Sequence, residues 1–370
     1  MRPAKSFRPA HPFADIGEKH MKVARWHGVR DIRVEDIPEP TPGPGEVKVK
    51  VAWTGICGSD LHEYLAGPIF IPVGEDHPLS HDQAPITMGH EYCGTISELG
   101  EGVTGLSVGD RVAIEPIFAC GKCPACLEGK YNLCERLGFV GLSGGHGGFA
   151  ASSVVPARMV HKMPDGLSME QGALVEPAAV ALHAVRLSKI KAGDKAAIFG
   201  AGPIGLLVLE SLRVAGASEI HVVEPSEVRR QKALDLGATS VIDPTGTDAV
   251  AAIREATGGA HVAFEVTGVP QVLPQCIEAT RHEGQVLVVS IWEAEASFQP
   301  NTIVLKERQL QGTIAYRNVY PAVMALMKQG YFSADQLVTR RIALDDVVAD
   351  GFEALVAEKS HVKILVKAPD

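Results

Sequence analysis

Hydrophobic and polar residues alternate with a period of two in the first half of the chain. The clearest run is at residues 46–51, and residues 21–26 have a similar pattern. Alternation of this kind predicts half-buried β-strands. Proline and glycine crowd residues 38–45, and glycine recurs through residues 100–109, which predicts turns. We therefore expect a β-rich first half, in which the glycine-rich residues 141–148 form a loop.

The pattern changes after about Leu174, where short apolar runs alternate with helical periodicity. The first run, at residues 196–199, precedes a glycine turn and a predicted helix at 204–214. Further strands are predicted at 220–223, 240–242, 262–265, 286–290 and 311–316, with helices at 226–236, 248–256 and 270–280 between most of them. Alternating strands and helices predict βαβ units and a doubly wound parallel sheet. A helix near 320–330 and a strand at 361–367 complete the chain.

Length and composition favour a two-domain α/β protein. A chain of 370 residues is long for one core, and its 46% hydrophobic and 21% charged residues are ordinary for a globular protein. The net charge of −9 is spread along the sequence without a basic run, which argues against a nucleic-acid partner. No apolar stretch reaches the roughly 18–20 residues needed to span a bilayer, so we expect no membrane segment.

Residues 1–20 contain several basic residues and three prolines but no apolar core. They lack the apolar region of a secretory signal peptide. We interpret them as a disordered extension or as residues before the true start at Met21, with a targeting role as the alternative. Without a secretory signal, the seven cysteines indicate metal binding rather than disulfides, and we expect a cytoplasmic protein.

Four cysteines lie within fifteen residues: Cys120, Cys123, Cys126 and Cys134. Four thiols so close in sequence cannot all form disulfides without strain, whereas thiolates at this spacing can converge on one tetrahedral zinc ion. Sulfur would fill all four positions, so this zinc would be structural. A redox pair or buried core cysteines are the alternatives.

A second group of potential ligands is scattered along the chain. Cys57 lies in the motif at residues 55–60, His90 and Glu91 follow a glycine, and Glu176 lies in an apolar stretch. One thiolate, one imidazole and one carboxylate would hold a zinc ion and leave a fourth position open, as a catalytic zinc requires. From spacing alone, Cys57 and His90 could equally be packing residues. A buried Glu176 favours a metal, because an unpaired buried charge is costly.

A glycine-rich turn follows the strand predicted at 196–199 and begins the helix at 204–214; it reads Gly200-Ala201-Gly202-Pro203-Ile204-Gly205. In this context GxGxxG binds the pyrophosphate of a dinucleotide. Glu224 ends the next predicted strand, nineteen residues after Gly205, where a carboxylate accepts hydrogen bonds from the ribose hydroxyls and repels a 2′-phosphate. NAD is therefore favoured over NADP. Arg229 and Arg230 argue the other way, and we interpret them as solvated.

Together, these motifs resemble the zinc-containing medium-chain dehydrogenase/reductase family from Met21 onward. The resemblance implies a GroES-like β-rich catalytic domain at 21–177 and 317–370, with a structural zinc lobe at about 115–135, and a Rossmann NAD-binding domain at 178–316. It implies Cys57, His90 and Glu176 as ligands of a catalytic zinc. It also implies two zinc ions per chain, NAD as cofactor and a homodimer or homotetramer.

The same resemblance suggests roles for further residues. Glu91 is expected to approach the zinc ion when water exchanges, and Ser59 and His62 match residues that relay the substrate proton. Thr267 would line the cofactor cleft, and Lys363 would meet the cofactor phosphates. The alternatives are a helix cap for Ser59 and a solvated helix position for His62.

The resemblance also bears on the substrate. Glu176, in a position where other alcohol dehydrogenases have cysteine, is typical of the polyol and diol branch of the family. Residues 61–72 and 138–144 look most like its butanediol-oxidising members, and Ala315 replaces an arginine that precedes the tyrosine in sorbitol-oxidising members. We expect a small secondary alcohol or its ketone, such as (R,R)-2,3-butanediol or acetoin. A sugar alcohol or threonine is the alternative, as is an NAD-binding protein without activity.

Outside these motifs, Cys93 and Cys276 are expected to be small core residues. Tyr64, Tyr92 and Trp292 could be either pocket walls or core.

Overall fold

A computed structural model describes residues 19–358 and 360–369. Of the extension expected over residues 1–20, only 19 and 20 belong to this described part, and His20 is the first residue of a strand. The interpretation of residues 1–18 thus lies outside what the structure describes.

The first half is rich in short strands. Its elements are β1 (His20–Gly28), β2 (Asp31–Pro38), β3 (Glu46–Gly55), α1 (Gly58–Ala66), β4 (Ile86–Thr87), β5 (Glu91–Leu99), β6 (Arg111–Ile114), β7 (Ile117–Phe118), α2 (Pro124–Leu127), β8 (Gly138–Phe139), β9 (Ser152–Pro156), β10 (Val160–Lys162), α3 (Met169–Ala173) and α4 (Val175–Leu187). In β3 the valines at 47, 49 and 51 are buried as the alternation predicts. Lys48 is buried as well, and its ammonium group pairs with Glu39 and Glu98.

The second half alternates strands and helices. Its elements are β11 (Lys195–Phe199), α5 (Pro203–Val214), β12 (Glu219–Val223), α6 (Glu227–Asp235), β13 (Ser240–Ile242), α7 (Ala249–Thr257), β14 (Ala260–Glu265), α8 (Val272–Ala279), β15 (Thr280–Val288), α9 (Asn301–Val304) and β16 (Gln309–Gly312). The chain ends with α10 (Tyr320–Met327), α11 (Ala334–Leu337), β17 (Val338–Ala343), α12 (Glu353–Ala357) and β18 (Lys363–Lys367), with a π-helical segment at Val347–Phe352.

The predicted doubly wound sheet is confirmed. Its six strands are all parallel, in the order β13-β12-β11-β14-β15-β16. The order reverses between β12 and β14 on either side of β11, so a crevice forms at the carboxyl ends of these strands, where α/β proteins bind ligands.

The β-rich half is completed by the end of the chain. A seven-stranded sheet has the order β10-β6-β5-β3-β18-β17, with β9 also paired to β3. β18 is antiparallel to β3 and parallel to β17. The last described strand therefore lies in the interior of a sheet whose earliest strand in sequence is β3.

One predicted element was misjudged, and one element was missed. The strand expected at 311–316 is β16, which ends at Gly312; Ala315 has φ +46°, a left-handed conformation that takes the chain out of the sheet. Helix α4 had no prediction. It is buried along most of its length, so its sequence lacks the one-sided apolar periodicity by which a surface helix is recognised.

Candidate active site and zinc-binding lobe

The glycine turn joins β11 to α5, and each glycine has a distinct steric role. Gly200 has φ +108°, and a Cβ atom there would lie 2.8 Å from Thr267 Cγ2. A Cβ at Gly205 would lie 2.0 Å from the Gly200 carbonyl oxygen, so helix and strand could not pack as closely. A Cβ at Gly202 would meet nothing within 4 Å, which leaves open space beside the helix N-terminus. Pro203 occupies the first turn of α5, where no N–H is needed.

Glu224 follows β12 and is buried next to this turn. Its carboxylate accepts hydrogen bonds from the backbone N–H groups of Ala201, at 2.7 Å, and Ser226, at 2.9 Å. Because a carboxylate offers about four acceptor positions, it retains capacity for further donors. Arg230 donates to the Glu224 carbonyl oxygen and pairs with Asp243, so it is bound to protein groups rather than solvated.

Cys57 is held at the start of α1. It is the N-cap residue, and its backbone N–H donates to Asp60 Oδ2 at 3.0 Å. The other carboxylate oxygen of Asp60 lies 3.3 Å from His90 Nδ1, an ion-pair contact outside hydrogen-bond geometry. Asp60 thus orients both the cysteine and the histidine.

His90 turns its other ring nitrogen toward α1, where Nε2 lies 3.2 Å from Ser59 Oγ. Burial opposes protonation of this ring, but the charges of Asp60 and Cys57 outweigh burial and raise the pKa of His90 well above its usual value. The potential ligand atoms of Cys57, His90 and Glu91 lie within 4.8 Å of one another. This is the geometry of residues that share a cation.

Glu176 lies on α4 and lines the same cavity as Cys57 and His90, but it is outside the 4.8 Å group. Burial raises the pKa of its carboxyl to about 7, and Glu91 adds to this, whereas His90 and the donating hydroxyl of Tyr316 act in the opposite direction. A buried carboxyl of this kind favours a nearby cation.

The cavity has a volume of about 240 Å³ and lies between the β-rich half and the glycine turn. Its polar end holds Cys57, Ser59, His90 and Glu176. His62 also lines it, 3.6 Å from the Glu293 carboxylate, as do Ile204 and Thr267 from the parallel-sheet half. The remaining walls are mostly apolar: Phe70, Phe139, Leu142, Val180, Val266, Val289, Ile291, Ile314 and Ala315.

The four clustered cysteines surround a single point. All four sulfur atoms lie within 4.8 Å of one another, and two pairs, Cys120–Cys126 and Cys123–Cys134, are 4.0 Å apart. Zinc–sulfur bonds of about 2.3 Å in a tetrahedron require sulfur atoms about 3.8 Å apart. Backbone N–H groups of Lys122 and Cys123 lower the pKa of Cys120 to about 6, which favours the thiolate. The donor set fits zinc, and all four thiols are free of disulfides.

Two domain families match the chain. Residues 43–165 match the alcohol dehydrogenase GroES-like domain, and residues 203–329 match the zinc-binding dehydrogenase domain. The chain belongs to the zinc-binding dehydrogenase family. It is accordingly an oxidoreductase of the alcohol dehydrogenase type.

Several relatives are similar over nearly the whole of this dehydrogenase. (R,R)-butanediol dehydrogenase of Bacillus subtilis is 59% identical, over 94% of this chain and 99% of the relative. The enzyme of the same name from Neisseria gonorrhoeae is 42% identical over the same shares. The crystal structure of the Bacillus subtilis 2R,3R-butanediol dehydrogenase has a TM-score of 0.90 at 59% identity, covering 95% of this chain and all of that one. A zinc-binding dehydrogenase from Sinorhizobium meliloti, bound to NADP, has a TM-score of 0.86 at 32% identity, with the same coverage.

Lys363, the residue expected to meet the cofactor phosphates of this dehydrogenase, is bound to protein groups in the structure. Its side chain is only 3% exposed, and its ammonium group donates to both Glu91 oxygens, at 2.6 and 2.8 Å, and to the Ile56 carbonyl oxygen at 3.1 Å. These contacts use all three donors of the ammonium group, which neutralises the Glu91 carboxylate.

Two carboxylates near the dehydrogenase site were overlooked. Asp60 lies three residues after Cys57, a capping-box spacing that could have been recognised. Glu265 is fully buried at the end of β14 and accepts hydrogen bonds from Thr267, Gly268 and Ser290 beside the cavity. A glutamate at the end of an apolar strand was the available signal.

The remaining expectations concern the core. Cys93 and Cys276 are buried, as expected. Tyr64 and Tyr92 are buried core residues, and Trp292 packs partly buried against another core cluster. None of the described helices is long and apolar enough to cross a membrane.

Proposed function

We propose that this dehydrogenase transfers hydride between NAD and a short vicinal diol, with (R,R)-2,3-butanediol and acetoin as the substrate pair. The observation that carries the proposal is the cavity, in which a polar end beside Cys57 and His90 faces mostly apolar walls. Its volume of about 240 Å³ suits a small molecule. Ala315 contributes a methyl group to this wall where a sugar alcohol would need a polar partner. The names of the Bacillus and Neisseria relatives support the same choice.

Cys57, His90 and Glu176 are the proposed ligands of the catalytic zinc. Glu91 lies beside them, but Lys363 already pairs with both of its oxygens. The neutral hydroxyl of Tyr316 lowers the pKa of Glu176 by hydrogen bonding, and a neutral donor leaves this carboxylate more capacity for a cation. When bound, zinc supplies Lewis-acid chemistry that lowers the pKa of an alcohol.

Ser59 and His62 are the proposed proton relay. The Ser59 hydroxyl lies in the cavity wall next to His90, where it can accept a proton from the substrate hydroxyl. His62 lines the same cavity with one third of its side chain exposed, and its Nδ1 atom has no hydrogen-bond partner. Ser59 and His62 would be the two protein groups of the relay, and a bound cofactor would supply ribose hydroxyl groups between them. Each turnover in the oxidative direction converts diol and NAD⁺ to hydroxyketone, NADH and one proton.

The glycine turn is the proposed binding site for the cofactor pyrophosphate, with Gly200, Gly202, Pro203, Ile204 and Gly205 at the N-terminus of α5. Thr267 would line the nicotinamide side. Glu224 would bind the adenosine ribose and favour NAD. The nearby arginines are engaged elsewhere, since Arg229 donates to the His361 carbonyl oxygen and Arg230 to that of Glu224, which leaves less positive charge for a 2′-phosphate.

The other assignments form part of the same proposal. Cys120, Cys123, Cys126 and Cys134 would hold a structural zinc. The catalytic domain would comprise residues 21–177 and 317–370, and the NAD domain residues 178–316. We place the enzyme in the cytoplasm.

A homodimer is the proposed assembly. β16 is an edge strand of the six-stranded sheet, and three of its four residues are exposed. Val304 and Leu305, just before it, are 66% and 76% exposed. An open edge next to exposed apolar side chains suits pairing with a second copy.

The test is a substrate and cofactor panel with the purified full chain. NADH formation is measured with the stereoisomers of 2,3-butanediol, sorbitol, xylitol and threonine, and NADH consumption with acetoin, alongside metal analysis. We expect the highest kcat/KM with (R,R)-2,3-butanediol and NAD, and two zinc ions per chain. A higher kcat/KM for sorbitol or threonine would contradict the substrate, and activity that persists without zinc would contradict the mechanism.

A further inference from the structure

We propose that Glu63 is a positioning residue that fixes Phe70 in the wall of the substrate cavity and thereby restricts the enzyme to short diols. The inference rests on the proposed function, because it names what limits the size and polarity of the substrate at that site. Glu63 does not line the cavity itself.

Glu63 is a fully buried carboxylate on α1. It accepts hydrogen bonds from three consecutive backbone N–H groups: Oε2 accepts from Ile69 at 3.0 Å, and Oε1 accepts from Phe70 and, at 3.2 Å, from Ile71. Hydrogen bonds to an ionised acceptor are stronger than those between neutral groups. One side chain therefore holds the backbone of the loop after α1.

These three hydrogen bonds determine which side chain of the loop faces the cavity. Ile69 is exposed and Ile71 is buried in a hydrophobic core cluster, whereas Phe70 lines the cavity and packs edge-to-face on Phe139 with ring centroids 5.9 Å apart. If the backbone of this loop shifted by one residue, an isoleucine would replace the aromatic side chain in the cavity wall. Three adjacent N–H groups bound to one carboxylate prevent that shift.

Gly67 keeps the carboxylate in place. A Cβ atom there would lie 2.6 Å from Glu63 Oε2 and 2.5 Å from the Glu63 carbonyl oxygen. That carbonyl oxygen also accepts from Trp26 Nε1 at 2.9 Å, so it has little freedom to move. The glycine is needed for this close approach, since its φ of −58° is ordinary for any residue.

The apolar wall of the cavity discriminates between substrates by their polarity. Phe70, Phe139 and Leu142 are neighbouring members of the cavity lining and offer no hydrogen-bonding side chain. A methyl group of a short diol forms no hydrogen bonds with water, so it gives up none when it contacts these side chains. Each extra hydroxyl of a sugar alcohol would give up its hydrogen bonds to water there and gain none in return.

The experiment measures discrimination, defined as kcat/KM for (R,R)-2,3-butanediol divided by kcat/KM for sorbitol. Phe70→Ala should reduce it at least tenfold. Glu63→Gln leaves one acceptor oxygen for three donors and should reduce it about three- to tenfold, mainly through a higher KM for the diol. Gly67→Ala displaces the carboxylate without removing its charge and should act in the same direction, which keeps the test valid if Glu63→Gln does not fold.

Glu210→Gln is the matched control. Glu210 is also a buried carboxylate that accepts a backbone N–H, from Phe332 at 3.0 Å, but it lies outside the cavity, so its variant should keep wild-type discrimination. If Phe70→Ala keeps wild-type discrimination, or if folded Glu63→Gln and Gly67→Ala both keep it, the inference about Glu63 is wrong while the proposed function is unaffected. A wild-type enzyme that oxidises no diol overturns the proposed function as well.

Discussion

Buried carboxylates around the cavity are stabilised by three different kinds of donor. Glu91 is paired with the ammonium group of Lys363, Glu176 with the hydroxyl of Tyr316, and Glu224 with two backbone N–H groups. The kind of donor determines how much negative charge is left over. Glu91 is neutralised by a full positive charge, whereas the hydroxyl beside Glu176 is neutral and leaves that carboxyl available to a cation.

Replacing Lys363 with methionine tests the role of the Glu91 pair. The change leaves a buried carboxylate without its cation, and breaking such a pair typically costs about 3–5 kcal/mol. We expect the free energy of unfolding to fall by about that amount, as measured by urea denaturation. The Kd for NADH should change little, since the three donors of the ammonium group are bound to Glu91 and Ile56.

The double variant Lys363→Met/Glu91→Gln provides the control. It removes both charges together, so it should be more stable than Lys363→Met alone. A large loss of NADH affinity in Lys363→Met, with stability unchanged, would instead support a phosphate-binding role for Lys363.

Sequence analysis could find residues with a local signature. Cys57 and Glu224 were identified because a motif or a fixed spacing marks each of them. The Lys363–Glu91 pair joins residues 272 positions apart, and no local pattern marks such a contact. The resemblance supplied a role for Lys363 but did not identify Glu91 as its partner.

At the scale of elements, α1 organises one side of the site. Its N-cap presents Cys57, its first turns present Ser59 and His62 to the cavity, and Glu63 on its buried side holds the following loop. The zinc lobe is separate from this helix and contains none of the residues that line the cavity. The two cysteine groups should therefore fail in different ways.

Cys57→Ser and Cys123→Ser test that division. Cys57→Ser should abolish turnover and remove about one zinc per chain while Tm stays close to wild type, because the N-cap can still be made by serine. Cys123→Ser should lower Tm by about 5–10 °C, since a structural zinc contributes directly to folding. Activity, metal content and thermal unfolding are compared, and an equal loss of folded protein in both variants would contradict the separation.

The parallel sheet was predictable because each strand is a short apolar run bounded by turn residues. The end of β16 was harder to predict. The chain leaves the sheet near Ala315, which has a left-handed conformation, and alanine is not a residue type that indicates such a conformation. Helix α4 was missed because burial on most sides removes the amphipathic pattern. Elements buried between the two halves of the molecule were the least visible from sequence.

At the scale of the whole molecule, the proposed homodimer depends on the exposed edge at β16. Leu305→Glu puts a charge where an apolar contact of about 1.5–3 kcal/mol is expected. The dimer dissociation constant should rise at least about 10- to 100-fold, measured by analytical ultracentrifugation. Val108→Glu is the control, because Val108 is 62% exposed in the β-rich half. A dimer unaffected by Leu305→Glu would exclude this edge as the interface.

The position of β18 constrains the order in which the enzyme can fold during its synthesis. The backbone N–H of Ile56, next to Cys57, donates to the carbonyl oxygen of Ile364, and Lys363 binds both Ile56 and Glu91. During translation, the central sheet of the catalytic half therefore cannot close until β18 has left the ribosome. The parallel-sheet half is synthesised entirely within that interval, so the cofactor-binding half can fold before a working metal centre exists.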